Sequence, residues 1–331
     1  MSQFAAELRN LVDDLVRRDG AIGSEDELWA QLRELGLSRI GIEEERGGSG
    51  GTFDDLLVVV ETLAGHGLGL PLVEAGTADW ALGHAGPLGE RFSTLVLVDA
   101  PLDSADGTLT AELHGVPWAR EAEQLVISAP DAAPVLVELR HGSVTVRPGE
   151  NLAGEPRDSV VLAGTPVGEV AQAPAHETVR ARLALLRSAA VTGAAHGAYR
   201  LTRSYVSERR QFDAPLLKIP AVAGNLAQMR VQLVQADAAM ARAREAGVSG
   251  ANAAITRIIT ASAATEIARI AHQLHGAMGI TEEYPLHRYT RRLWAWRDAV
   301  ATERHWAEEL GRRAVAVGES GVWEQLTAAG R

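Results

Sequence analysis

Apolar residues recur at three- and four-residue intervals over the first ninety positions and again after position 173, a spacing that predicts helices in both regions. In the first region, Ser24 with Glu27 has the pattern of a capping box, so we predict a helix from there to Leu35. In the second region, alanine-rich stretches predict a close-packed bundle. Its predicted helices cover residues 177–211, 219–246, 250–276 and 285–316, with a short helix near 320–329.

Between these regions the apolar residues form short runs rich in valine. The predicted strands cover residues 94–98, 125–128, 135–139, 144–146 and 160–162. Turn residues such as Asp106-Gly107 separate them, which is typical of a small antiparallel sheet or barrel. We therefore predict an α+β, mostly α fold with three parts: an N-terminal helical domain (1–92), a small central β-domain (93–172) and a C-terminal four-helix bundle (173–331).

Composition narrows the class of protein. The chain has 43 acidic and 32 basic side chains and a net charge of −11, which argues against nucleic acid as a partner because such binding needs clustered lysine and arginine. No apolar run reaches the roughly 18 residues that a membrane span needs. Cysteine is absent, which excludes disulfides and cysteine-ligated metals and fits a cytoplasmic protein.

Three segments of the C-terminal half carry the most specific pattern in the chain. They are Glu208-Arg209-Arg210-Gln211-Phe212-Asp213-Ala214-Pro215-Leu216, Gln273-Leu274-His275-Gly276-Ala277-Met278-Gly279 and Glu283-Tyr284-Pro285. In order and separation they resemble the E-R-x-Q-F-G-x-P-I, Q-x-x-G-G-x-G and E-Y-P motifs of the acyl-CoA dehydrogenase family of flavoproteins. That family also has helices, then strands, then a helix bundle, so the resemblance in layout extends over nearly the whole chain.

The resemblance implies that the chain contributes to an FAD site, where the ADP half of the cofactor is held mainly by the neighbouring subunit of a dimer. Arg209 would hold the pyrophosphate, because a planar guanidinium meets phosphate oxygens in a bidentate manner. A solvated arginine in an ordinary basic run is the alternative for that residue. The residues that the resemblance assigns to the cofactor are Arg209, Gln211, Phe212, Gln273, Gly276, Ala277 and Thr302.

Two positions depart from the family pattern. Asp213 replaces the glycine of the first motif and places a negative charge near the proposed phosphate site. Ala277 replaces a glycine of the second motif and adds a methyl group where the backbone and the cofactor should come close together. Both substitutions leave a flavin-free structural protein open as an alternative.

Family chemistry is the α,β-dehydrogenation of an acyl-CoA thioester, in which a carboxylate removes the α-proton while the β-hydrogen leaves as hydride to the flavin. The resemblance places that carboxylate at Val300 or, in some relatives, at Ala184, and neither side chain can accept a proton. Glu303 is the remaining candidate base, because on a continuous helix it lies about one turn beyond residue 300 on roughly the same face. A surface pair with Arg304 or Arg297 is the alternative for Glu303.

Three other patterns bear on the site. The family's strand domain contains a T-E-P-x-x-G-S-D segment that contacts the flavin ring, and the predicted β-domain has no such segment. His272 and His275 form an H-x-x-H pair without a third ligand nearby, so we predict no metal site. Trp294, Trp296 and Trp306 mark an aromatic face that we predict to be a subunit interface, with the core of the bundle as the alternative.

Together these features predict a non-catalytic subunit of a heteromeric acyl-CoA dehydrogenase, which supplies FAD contacts while a catalytic partner subunit supplies the base. The resemblance implies an α2β2 assembly and an acyl-CoA substrate, since split-role pairs of this kind act on steroid side-chain CoA thioesters in actinobacteria. A steroid or other bulky lipid acyl group is the corresponding expectation. A self-sufficient homo-oligomer with a non-standard base and a flavin-free structural partner are the alternatives.

Overall fold

Helices occupy both ends of the chain and strands its middle, which confirms the predicted fold class. The structure is a computed structural model that describes residues 3–18, 24–102 and 104–328. The chain divides into two compact units, the first with Met1–Val60 and Gly69–Leu183, the second with Glu61–Leu68 and Ala184–Arg331. The three-part division with boundaries after residues 92 and 172 stays a prediction.

The helices of the first unit begin at the residues that local chemistry indicates. They are α1 (Gln3–Arg18), α2 (Glu25–Glu34), α3 (Phe53–Gly65), which continues into the second unit, and α4 (Leu72–Gly83). Before α2, the Ser24 Oγ accepts a hydrogen bond from the backbone N–H of Glu27 at 3.3 Å. The Glu27 carboxylate in turn accepts one from the backbone N–H of Ser24 at 3.3 Å, which completes the predicted capping box.

Two four-stranded sheets follow in the same unit. The strands are β1 (Ser93–Leu97), β2 (Ser104–Ala105), β3 (Thr108–Pro117), β4 (Gln124–Ser128), β5 (Val135–Glu138), β6 (Val144–Arg147), β7 (Arg157–Pro166) and β8 (Gly168–Glu169). One sheet has the order β1-β4-β5-β8 and the other β2-β3-β7-β6. The prediction of a purely antiparallel sheet was wrong for β1 and β4, which pair in parallel, because the chain passes through the second sheet before it returns.

The second unit holds a helix bundle. Its helices are α5 (His176–Glu208), which begins in the first unit, α6 (Pro220–Ala246), α7 (Gly250–His275), α8 (Leu286–Arg297) and α9 (Glu303–Ala328), and the short strands β9 (Arg210–Gln211) and β10 (Ala214–Pro215) follow α5. Helix α6 starts on Pro220, whose fixed φ suits the first helical position. The single helix predicted over 285–316 was wrong. The chain leaves the helix between Arg297 and Glu303, where Val300 has a φ of 74°.

The predicted aromatic interface was also wrong. Trp296 is 2% exposed and Trp306 1% exposed, so both side chains lie in the core of the chain itself. The half-buried Trp294 stacks on His272 with ring centroids 5.3 Å apart. In the part of the chain that the structure describes, no helix is long and apolar enough to cross a membrane.

Candidate functional site

The first motif forms a small hairpin at the end of α5. Strands β9 and β10 pair in antiparallel fashion, and Phe212 and Asp213 connect them. Both connecting residues have a positive φ, 52° and 62°, which is the backbone geometry of a type I′ turn. Phe212 lies at the tip with 89% of its surface exposed. The Arg209 and Gln211 side chains are exposed beside it.

Asp213 fits this hairpin where the family pattern has glycine. Aspartate adopts the left-handed conformation more readily than most residues, so the turn needs no glycine there. The Arg210 guanidinium donates to the Asp213 carbonyl oxygen at 2.6 Å. The backbone N–H of Leu216 donates to the Arg209 carbonyl oxygen at 2.8 Å and closes the base of the hairpin. The departure in sequence therefore keeps the backbone geometry and adds one charge.

The second motif forms the turn that ends α7. Gly276 has φ 56° and ψ −136°, a conformation that side-chain-bearing residues rarely adopt. A 3₁₀ turn over Gly276–Ile280 follows. Gln273, Gly276 and Ala277 are exposed along this turn. Ala277 does not have a positive φ, so its methyl group costs no backbone strain.

These two segments lie close together, because Tyr205 of α5 stacks on His275 of α7 with ring centroids 4.4 Å apart. The exposed groups that they present are a guanidinium, two side-chain amides, an aromatic ring and a glycine turn. Such a set suits FAD: the guanidinium matches a pyrophosphate, and the ring and the exposed glycine backbone can meet a flat adenine. The residues of the set are Arg209, Gln211, Phe212, Gln273, Gly276 and Ala277.

Thr302 and Val300 lie elsewhere in the second unit, on the loop between α8 and α9. The loop is held by Arg257 of α7, whose Nη2 donates to the carbonyl oxygens of Trp296 at 2.8 Å, Arg297 at 2.6 Å and Ala299 at 3.1 Å. Arg257 and His275 are 18 positions apart on α7, or about 27 Å along its axis. The structure therefore does not bring Thr302 together with the Arg209 hairpin.

Arg257 is a residue that the sequence reasoning missed. It is fully buried, and burial lowers its pKa to about 9. Its charge lies at the C-terminal end of α8, where carbonyl groups have no helical partners and the helix dipole favours a cation. The sequence did contain a signal for it, because Arg257 is the single charged residue between positions 250 and 265.

The candidate base positions are occupied as follows. Ala184 is fully buried in α5, and Val300 is half-buried on its loop. Asp298 pairs with Arg297 at 2.7 Å, and this hydrogen bond raises the pKa of the arginine. Glu303 lies in the first turn of α9 and lines a cavity of about 540 Å³. The helical offset used to align Glu303 with residue 300 was wrong, because 298–302 are not helical.

Thr302 and the histidine pair also make contacts within the chain. The Thr302 Oγ1 accepts a hydrogen bond from the backbone N–H of His305 at 3.3 Å, as an N-cap of α9 does. His272 and His275 stack on Trp294 and Tyr205. Among residues 3–18, 24–102 and 104–328, no three histidine, aspartate or glutamate side chains form a group that could hold a metal ion.

Comparison with known families gives two matches. Residues 2–87 match the acyl-CoA dehydrogenase N-terminal domain, and residues 178–297 match the acyl-CoA dehydrogenase C-terminal domain. The second match ends immediately before the loop that carries Val300. The acyl-CoA dehydrogenase FadE28 of Mycobacterium tuberculosis is 30% identical over 314 residues, which cover 86% of this chain and 91% of that protein. The acyl-CoA dehydrogenase IpdE2 of the same organism is 28% identical over 311 residues, which cover 91% of this chain and 88% of that protein.

Solved structures share the fold. A variant of the Tcur3481-Tcur3483 steroid ACAD superimposes with a TM-score of 0.84 at 22% identity, covering 94% of this chain and 98% of that chain. A chain of the ChsE4-ChsE5 complex from Mycobacterium tuberculosis superimposes with a TM-score of 0.82 at 20% identity, covering 96% of this chain and 99% of that chain. At these identities the likeness shows the fold alone.

Proposed function

The chain belongs to the acyl-CoA dehydrogenase family of oxidoreductases, which act on CH–CH bonds with FAD, and from that premise we propose that it is the non-catalytic subunit of a heteromeric enzyme. In this role it contributes contacts to the ADP half of FAD and depends on a catalytic partner for the base. The assembly is a hetero-oligomer of α2β2 type. The substrate is an acyl-CoA thioester with a steroid or other bulky lipid acyl group.

The observation that carries the proposal is the side chain at each base position. Val300 and Ala184 have only alkyl groups, and neither can take up the α-proton of a thioester. A positioned general base contributes on the order of 10²–10⁴ in rate, so its loss is not a minor change. The loop around Val300 is nevertheless kept in a fixed form by the buried Arg257. Retention of the loop without the base suits a subunit that still packs as its relatives do.

The exposed groups of the second unit define what this chain does. Bound FAD supplies the hydride acceptor for α,β-dehydrogenation. The Arg209 guanidinium would bind pyrophosphate oxygens, and the exposed Phe212 at the hairpin tip would pack against the dinucleotide. The Gly276–Ile280 turn brings backbone N–H groups toward the adenine side. These contacts bind and orient the cofactor, and none of them moves a proton.

The nature of the partner and substrate is supported by the similar proteins. Two of the structures that share the fold are a steroid ACAD and a complex of two differently named chains, ChsE4 and ChsE5. The chain spans most of the length of FadE28 and IpdE2, so its proportions suit a subunit of the same kind.

The visible absorption spectrum tests this function. We expect the chain purified alone to be colourless and the chain co-purified with an acyl-CoA dehydrogenase encoded beside it to show flavin bands. In the complex, Arg209→Ala should weaken FAD binding by about 10- to 100-fold, because it removes a charge-assisted hydrogen bond. Arg203→Ala is the matched control, since Arg203 is also exposed on α5 but lies outside the motif. Equal effects of the two changes would argue against the assigned role of Arg209.

A self-sufficient homo-oligomer is the second candidate, and one observation favours it. Glu303 lines a cavity of about 540 Å³ whose other lining side chains are mostly apolar but include Gln235, Arg242 and Ser262, so a carboxylate is present in a largely apolar site. This candidate requires flavin near one per chain in the isolated protein and loss of turnover in Glu303→Gln. A flavin-free structural partner requires the absence of flavin from every assembly that contains the chain.

A further inference from the structure

One aromatic cluster joins the three motif segments of the second unit. It consists of Tyr205 in α5, His275 at the end of α7 and Tyr284 before α8. The His275 ring lies 4.4 Å from the Tyr205 ring and 5.0 Å from the Tyr284 ring, measured between centroids. The two tyrosine rings are 5.7 Å apart in an edge-to-face arrangement. The stretches identified separately in the sequence therefore meet at one point, which we call the motif cluster.

Hydrogen bonds fix the orientation of the histidine in this cluster. His275 is 3% exposed, and its Nδ1 lies 2.8 Å from the carbonyl oxygen of Ala271, which can only accept. Nδ1 therefore carries the proton, and Nε2 accepts from the Tyr284 hydroxyl at 3.3 Å. Burial lowers the pKa of His275, so the neutral ring that this arrangement requires is the favoured form.

The exposed turn of the second motif rests on this histidine. Its Gly276 leaves the helix in a conformation that glycine adopts most easily. The turn then folds back so closely that a Cβ at Gly279 would lie 2.9 Å from the His275 Cβ. The Tyr205 hydroxyl donates to the His275 carbonyl oxygen at 3.4 Å. The inner side of the turn is thus held by the rings, while Ala277 on its outer side is exposed.

The same cluster supports the arginine of the first motif. Tyr205 is one helical turn before Arg209, and the Arg209 backbone N–H donates to the Tyr205 carbonyl oxygen at 2.8 Å. A shift of the Tyr205 ring therefore moves the start of the hairpin relative to the turn. Other side chains of similar volume could fill this space. They would not orient the imidazole ring or fix the separation of the hairpin from the turn.

We propose that Tyr205, His275 and Tyr284 are positioning residues that hold the Arg209 helix end and the Gly276–Ile280 turn at the separation required by the adenylate half of FAD. None of the three side chains needs to touch the cofactor, because they act through the segments above them. The inference rests on the proposed function, in which these segments bind FAD.

Comparison of FAD with FMN tests the proposal, since FMN has the same ring system and lacks the adenylate half. The apo form of the flavin-holding assembly of the full chain is titrated with each cofactor, and flavin fluorescence gives the two dissociation constants. We expect Tyr205→Leu to weaken FAD binding by about three- to tenfold, the equivalent of one aromatic pair. FMN binding should change by less than about twofold. Tyr205→Phe keeps the ring stack and removes only the hydroxyl that donates to the His275 carbonyl oxygen, so it should lose less FAD affinity than Tyr205→Leu.

Tyr284→Phe is the milder variant, which guards against a failure of Tyr205→Leu to fold. It removes only the hydroxyl that donates to His275, and we expect about a threefold loss for FAD alone. Tyr289→Leu is the matched control, because it removes a tyrosine ring that packs against the backbone of Gly67, where a Cβ would lie 3.2 Å from the ring. It should lower thermal stability and leave the ratio of FAD to FMN affinity unchanged.

The outcomes distinguish failure of the positioning role from failure of the proposed function. Equal losses for FAD and FMN, or unchanged FAD affinity in Tyr205→Leu and Tyr284→Phe, would show that the cluster only packs the bundle. A changed ratio in Tyr289→Leu would equally overturn a specific role for the cluster. Absence of FAD from the wild-type chain, both alone and with its partner, would instead refute the proposed function, and the inference with it.

Discussion

At the scale of single residues, Val300, where the family resemblance places the base, has an unusual backbone. Val300 is β-branched and has a φ of 74°, a region that disfavours any residue with a Cβ. The buried Arg257 donates to the carbonyl oxygens of Arg297 and Ala299, which precede this residue, and so supplies the tertiary constraint that such a conformation needs.

Val300→Gly should raise the stability of the chain relative to Val300→Ala. Both variants lose the same isopropyl contacts, but only glycine relieves the strain of a left-handed Cβ, by about 1 kcal/mol. The free energy of unfolding from urea denaturation measures the difference. If the glycine variant is no more stable than the alanine variant, the loop does not hold residue 300 under strain.

His275 should make stability depend on pH. Burial lowers its folded pKa below the ordinary value of about 6.5, so the unfolded chain binds more protons as the pH falls below that value. Stability should therefore be complete above about pH 6.5 and fall below it, by at most about 1.4 kcal/mol per pH unit from this residue.

The difference between the wild type and His275→Phe isolates this effect, because phenylalanine keeps a ring and does not titrate. The subtraction is needed because burial raises the pKa of Asp79 to about 6, a shift that acts in the opposite direction over the same range. Denaturation midpoints at pH 7 and 5.5 are sufficient. The same pH dependence in both proteins would contradict a neutral, buried His275.

At the scale of elements, the hairpin of β9 and β10 shows how a departure from the family pattern is accommodated. The turn needs a positive φ at two successive positions, and Phe212 and Asp213 provide it without glycine. The aromatic side chain at the tip is 89% exposed and is therefore accessible to a cofactor. The hairpin thus exposes the side chains of the first motif, and the Asp213 carboxylate is the charge that it adds to the family pattern.

Asp213→Gly should strengthen FAD binding in the complex by about twofold at low salt, because it removes a surface charge near the phosphates and suits the positive φ. The gain in affinity should shrink at about 0.5 M salt, because the Debye length is then only a few ångströms and the charge is screened. Asp213→Ala is the matched variant, with the same change in charge but a less stable turn. Unchanged affinity at low salt would place the carboxylate away from the pyrophosphate.

At the scale of the whole molecule, the candidate site residues fall into two groups. The hairpin and the Gly276 turn lie at one end of α7, and the loop with Val300 and Thr302 lies at the level of Arg257, about 27 Å away along the helix. The chain thus keeps the segments proposed to contact FAD apart from the loop that carries Val300 and Thr302. That separation suits an enzyme that completes each site with a second subunit.

Val300→Glu should not give the isolated chain acyl-CoA dehydrogenase activity. A carboxylate restored on the loop still lacks a flavin-ring segment in the strand domain, and transition-state geometry tolerates little displacement. Bleaching of added FAD by acyl-CoA thioesters measures the activity, with Val300→Gln as the uncharged control. Turnover with glutamate but not glutamine would show that the base is the only part missing.

Much of the fold followed from local patterns. The capping box of Ser24 and Glu27 and the mostly helical class were confirmed, because a helix start depends on contacts between residues three or four positions apart. The helix predicted from residue 219 starts at Pro220. The sequence alone also shows that the side chain at position 300 is valine. The sequence by itself thus determined the family and the cofactor class, and it has no carboxylate at residue 300 or 184, the positions at which the resemblance places the base.

The tertiary structure decided what residues distant in sequence do together. Arg257 binds carbonyl groups 39 to 42 positions away, and this contact accompanies the break between α8 and α9 where periodicity predicted one helix. The parallel pairing of β1 with β4 likewise depends on strands separated by another sheet. The stacking of Tyr205 on His275 joins two motifs across 70 positions. Hydrophobic spacing reports only neighbours along the chain, so these contacts became visible only in the folded molecule.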